Sequence, residues 1–236
     1  MATTSAKGKK TEANVDPEVK IENALDKTEM FFQKNIKQLI TALIVVVVLV
    51  GGYFAYSYLI AKPRVEKAAE MMFVAEQMFA AGEYNTALEG DGSNAGFIDV
   101  VDQYGSTRPG RLAAHYAGVC YMKLGDADAA MQYLTKYKSV KGAPGVIINA
   151  QNYGLQGDIY VDKGDYAKAA ELYEKAVKAA DNVLTTPYYL RKLAYVRAEQ
   201  GNTAAAIEAC RRIKSNYPSS LEARDIDKLI GEFGQR

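Results

Sequence analysis

Few side chains in this sequence could do chemistry. It holds one histidine, His115, and two cysteines, Cys120 and Cys210, in 236 residues. A histidine acting as a base needs an activated nucleophile and an orienting acid beside it, and no cysteine or carboxylate cluster surrounds His115 in sequence. There is no G-x-S-x-G elbow and no paired metal-ligand spacing. His115 is therefore expected to be a surface or groove residue. The two cysteines fall in segments that read as separate helices and are expected to be small buried apolar fillers. Asp126, Asp158, Asp162 and Asp165 cluster in turns and helix ends, so they read as caps and solvated faces rather than a paired-carboxylate site. The stretch EGDGSNAG (89–96) is glycine-rich and acidic. It lacks both the ligand spacing of a calcium hand and the GK[ST] of a phosphate loop, so it reads as an insertion. No catalytic residue, cofactor or metal is expected, and the chain reads as a non-enzyme.

The elements that position these residues show as an internal period. Three 34-residue segments align without gaps, beginning at Arg111, Ala150 and Pro187. Their turn glycines Gly125, Gly164 and Gly201 coincide, each followed by Asp or Asn. Ala130, Ala169 and Ala206 come five residues later, and Gly118, Gly157 and Ala194 seven residues earlier. Glycine at the turn accepts the left-handed backbone that ends a helix. The Asp or Asn, or the residue after it, can cap the next helix. Small residues at the crossings let paired helices approach, and Tyr121, Tyr160, Leu134, Tyr173 and Val177 fill the space between repeats. This is the signature of a tetratricopeptide repeat. A degenerate copy precedes these, with Gly82-Glu83-Tyr84, Ala87 and Ala75, its second helix interrupted by the insertion.

The expected fold is all-α: one N-terminal transmembrane helix, then a right-handed tetratricopeptide solenoid over 64–236 with a C-terminal cap. The repeats are expected at about 68–109 (degenerate), 111–144, 150–183 and 187–220. The cap is placed at 219–233, where Leu221, Ile226, Leu229 and Ile230 give one apolar side that closes the exposed end of the stack.

Leu39 to Ile60 contains no ionisable acid or base. As a helix it is roughly 33 Å long, enough to cross a hydrocarbon core of about 30 Å. Tyr53, Phe54, Tyr56 and Tyr58 crowd one end like an interfacial belt. The competing reading is a cleaved signal peptide processed near Ala55-Tyr56-Ser57. It fits poorly, because the apolar run is long and 38 residues precede it. Lysines and arginines flank the segment evenly (Lys27, Lys34 and Lys37 against Lys62, Arg64 and Lys67). Lys7, Lys9 and Lys10 then tilt the N-terminus toward the cytoplasm, which exports the repeats. Residues 1–20 read as a disordered cytoplasmic tail. Residues 21–38 read as a juxtamembrane segment, either an amphipathic surface helix or a continuation of the membrane helix.

The balance of 29 basic and 28 acidic residues argues against nucleic acid, which calls for a clustered basic surface. The expected partners are proteins, with no small-molecule substrate. The inner wall of such a solenoid is lined by the first helix of each repeat. Its inward positions are His115, Val119 and Met122, then Gln151, Asp158 and Val161, then Tyr188, Arg191 and Tyr195. This mixture of aromatic, aliphatic and polar groups suits an extended or partly unfolded peptide.

The layout of tail, single apolar helix and repeats over about 22–232 resembles the YfgM-like family of ancillary Sec-translocon subunits. The stretches Glu22-Asn23-Ala24-Leu25, Asn35-Ile36-Lys37 and Lys62-Pro63-Arg64 resemble its Bacteroidota-type members. The resemblance implies repeats in the periplasm of a bacterial inner membrane. It implies translocon subunits, a membrane-anchored chaperone and exported clients as partners, and no catalytic residues. The alternative is a cytosol-facing docking receptor. Receptors that grip a peptide carboxylate need lysine and asparagine on the inner helices, where His115, Val119, Gly154 and Asp158 stand instead. An outer-membrane lipoprotein would need a cysteine directly after a signal, and the nearest is Cys120.

Overall fold

The computed structural model describes residues 17–142, 145–179 and 181–235, with side chains from Met30 onward except Phe31. The expected tail lies outside the described residues as far as Asp16. The regular elements of the described residues are all helices, with no strand among them, and the chain divides into two units, Met1–Ile60 and Ala61–Arg236.

The first unit contributes α1 (Pro17–Tyr56), followed by a π-helical turn at Ser57–Ala61. Among the described side chains of α1 the apolar ones from Leu43 to Val50 are exposed, Val48 by 65% and Leu49 by 67%. A helix this long and apolar, with its apolar window unburied, meets the physical requirement for crossing a bilayer.

The second unit packs as helical hairpins. Its helices are α2 (Lys62–Ala80), α3 (Tyr84–Glu89), α4 (Phe97–Tyr104), α5 (Arg108–Leu124), α6 (Ala127–Lys136), α7 (Gly145–Asp162), α8 (Tyr166–Ala179), α9 (Thr186–Glu199), α10 (Thr203–Asn216) and α11 (Ile226–Gly234). One turn recurs. Gly82, Gly125, Gly164 and Gly201 all have φ between 73° and 84°, and the amide after each reaches back to close the preceding helix. These bonds are Glu83 N to Met78 O, Asp126 N to Tyr121 O, Asp165 N to Tyr160 O and Asn202 N to Arg197 O, each 2.9 Å. The next helix then starts on a capping side chain. Asp126, Asp165 and Asn202 accept from Ala129, Lys168 and Ala205 at 2.9, 3.1 and 3.1 Å. The degenerate hairpin lacks such a cap at Glu83, and α3 ends after two turns at the insertion. There Asp91 Oδ1 accepts from the amides of Ser93 and Asn94 at 2.9 and 2.6 Å, closing the loop on itself.

Small residues set the hairpin crossings. A Cβ on Gly118 would lie 2.6 Å from Leu134 Cγ, and one on Gly157 2.7 Å from the Tyr173 ring. The packing forms two apolar cores. One, built by α2–α5, is centred on Phe97, Val100, Ala113 and Ala117. The other, built by α7–α11, is centred on Leu190, Ala194, Ile213 and Phe233. Ala130, Leu134 and Ile159 bridge them in a smaller cluster. Beside that bridge the join is polar. Asn149 Oδ1 accepts from Tyr137 Oη at 2.6 Å and from Val140 N at 3.1 Å, and its Nδ2 donates to Val140 O at 2.8 Å. The C-terminal end is closed by α11, whose Phe233 is buried edge-on against Tyr195.

Candidate protein-binding groove

The first helices of the hairpins, α2, α5, α7 and α9, line a groove made of two adjoining hollows that share Asp158. The first, about 680 Å³, is lined by His115, Val119, Gln151, Asp158 and Tyr188 among others. The second, about 500 Å³, is lined by Met122, Asp158, Val161 and Tyr195. Eight of the nine inward positions read from the sequence therefore meet along this wall. The ninth, Arg191, lines neither. Its guanidinium makes a two-pronged bond to Asp225, Nη1 to Oδ1 at 2.7 Å and Nη2 to Oδ2 at 2.6 Å. The turn before α11 supplies a carboxylate that matches the planar fork, and such charge-assisted pairing outcompetes an open groove. This bond holds the guanidinium well above its usual range.

His115 lines the first hollow, yet little of it meets solvent. It is 4% exposed, set against Tyr116 and Tyr137, with Asn152 Nδ2 3.3 Å from its Nδ1. Burial pushes its pKa down to about 4, so at neutral pH it is an uncharged part of the floor.

Asp158 is neither a cap nor a solvated face. Its Oδ1 accepts from Tyr173 Oη on α8 at 2.5 Å and from Lys192 Nζ on α9 at 2.7 Å. The charge of the groove wall is thus neutralised from within, and burial, with the Asp158 bond second, raises the Tyr173 hydroxyl well above the usual phenol range. The cysteines are buried and unpaired with each other. Burial pushes their thiols up to about 12 for Cys120 and about 11 for Cys210. Among the described residues no three His, Cys, Asp or Glu side chains converge as metal ligands.

The lining also includes residues outside those nine positions, among them Phe79, Tyr116, Tyr189 and Leu184. Phe79 holds in the degenerate hairpin the place that Met122 and Val161 hold in the next two, three residues before the turn glycine. Aligning the fourth copy more closely would find it. Tyr116 stacks on Phe97, and Tyr189 lies edge-on to Tyr188 with centroids 5.0 Å apart. Both are one position away from a residue that was read as inward. Leu184, 68% exposed, comes from the connection before α9, where no helical period points.

Two tetratricopeptide repeat models match the chain, one over residues 113–139 and the other over 155–220. Neither describes an enzyme family. No curated protein sequence matches the chain. Among solved structures, a crystal structure of MamA protein superposes with TM-score 0.54 at 18% identity, covering 72% of this chain and 84% of that one. A second MamA crystal structure gives 0.52 at 18% identity, covering 69% and 85%. At that identity the likeness concerns fold alone, and it agrees with the recurring turn and the small-residue crossings. Within the helical unit Ala61–Arg236, residues 113–139 and 155–220 are thus tetratricopeptide repeats.

Proposed function

We propose that this chain is a membrane-anchored scaffold that holds other proteins, an ancillary subunit at the Sec translocon whose exported repeats assist newly translocated polypeptides. In this reading α1 is the anchor, residues 39–60 cross the bacterial inner membrane, the N-terminus is cytoplasmic and the repeats are periplasmic. A membrane-anchored chaperone and the translocon subunits are the standing partners.

One observation carries the binding part. The groove presents Tyr188, Leu184 and Ile147, all exposed, beside an aspartate whose charge Lys192 already cancels. Apolar and aromatic surface around a paired aspartate favours unfolded segments of mixed sequence over a particular charged terminus. A docking receptor that grips a carboxylate needs a free cation on this wall, and the nearby Lys192 is committed to Asp158.

The test places a photo-crosslinking amino acid at Gln151 or Tyr188 in the full chain, in native membranes. Capture of exported polypeptides together with translocon subunits is the expected result. Capture of cytosolic proteins alone, or silence from a reporter that works only outside the cytoplasm when fused after Arg236, overturns the reading.

A further inference from the structure

A third hollow, of about 330 Å³, lies at the entry ends of α2, α5 and α7. Val65, Ala69 and Met72 of α2, Leu112 of α5 and Ile148 of α7 make its walls apolar, with Val140 of the loop between α6 and α7. Arg108 and Lys141 also line it, and among the described residues neither has a hydrogen-bond or ion-pair partner. Arg108 opens α5, a 17-residue helix, whose N-terminus adds partial positive charge. Glu76 is the acidic group of the lining. Burial raises its carboxyl above the usual range, and the lining sets two cations against this one acid.

We propose that this hollow binds a fatty acid, its alkyl chain against Met72, Leu112 and Ile148 and its carboxylate at Arg108 and Lys141. The volume stands at the lower end of the small-molecule range of about 300–1,000 Å³, which suits one alkyl chain. A peptide would bring an amide at every residue, and walls this apolar offer few partners for them. An alkyl chain brings none, and the polar demand is confined to a single anionic head where two unpaired cations wait. On the anchored reading above, on which this source of ligand rests, the bilayer supplies the fatty acid.

The probe is palmitate carrying a mid-chain diazirine, irradiated with the full chain in nanodiscs of zwitterionic lipid. The expected label falls within 65–76, 108–112 or 137–148 and is competed away by unlabelled palmitate. Ala69→Trp, which fills the hollow, should abolish it. Arg108→Gln with Lys141→Gln should cut it about tenfold while leaving the label from a hexadecanol analogue unchanged. Tyr188→Ala, in the groove, should change nothing. Label confined to 39–60, label indifferent to Ala69→Trp, or competition by an apolar peptide as effective as by palmitate would each overturn the proposal. Alkaline extraction of native membranes separates the two readings. A chain that washes off yet labels in the hollow refutes the anchor alone, whereas one that stays but labels only in the span refutes the fatty-acid site alone.

Discussion

Lys192 Nζ on α9 lies 2.7 and 2.8 Å from the two carboxylate oxygens of Asp158 on α7. The pair joins the inner helices of two successive repeats across 34 residues of sequence. Both side chains are about three-quarters buried, so the attraction is screened less than at an open surface, and removing one partner strands the other. Asp158→Ala is expected to cost about 1–2 kcal/mol and to lower the melting temperature by roughly 3–6 °C. A cycle with Lys192→Ala, read by thermal unfolding, should show the double variant less destabilised than the sum of the singles. Additive losses would mean that the pair contributes nothing.

Burial of His115 predicts a pH dependence. Its pKa is about 4 in the fold against about 6.5 in an unfolded chain. The unfolded state therefore binds the extra proton between those values. The resulting stabilisation is complete above about pH 6.5 and is lost as pH falls toward 4. Between pH 6.5 and 4.5 this amounts to about 2 kcal/mol. His115→Gln should flatten that part of the denaturant-unfolding profile. It should leave the steeper loss below pH 4, where Asp165 and Asp225, held low by hydrogen bonds from Lys168 and Arg191, take up protons.

Two glycines on helices should respond in opposite directions to the same change. A Cβ on Gly154 would sit 2.0 Å from the ring of Tyr189, which is itself 5% exposed and cannot swing clear. Gly154→Ala should cost about 2–3 kcal/mol through overpacking. Gly231, on α11, has nothing within 4 Å of the same position, and Gly231→Ala should stabilise by about 0.5–1 kcal/mol through backbone entropy. Urea midpoints for both variants decide the matter.

The cysteines should be inert while the fold persists. Cys120 and Cys210 are both fully buried, and burial pushes both thiols well above neutral pH. The native chain should take up almost no Ellman's reagent at pH 8, and the chain in guanidinium should take up one equivalent for each cysteine. Rapid labelling of the native chain would contradict the burial of either helix face.

The repeat architecture was legible because its rules are local. A glycine that must adopt positive φ, an Asp or Asn three residues before an amide it caps, and a small residue at each helix crossing are decided within one hairpin, and three aligned 34-residue segments repeat the evidence. For the same reason eight inward positions could be named from their place on a helix face. What the sequence could not supply was the choice of partners across the stack. Arg191 is turned to Asp225, Asp158 is claimed by Tyr173 and Lys192, and His115 is packed against Tyr116 and Tyr137. Helical period assigns a residue to a face, but whether that face meets solvent, a neighbouring charge or an aromatic ring depends on how successive hairpins stack, and only the tertiary structure decides that.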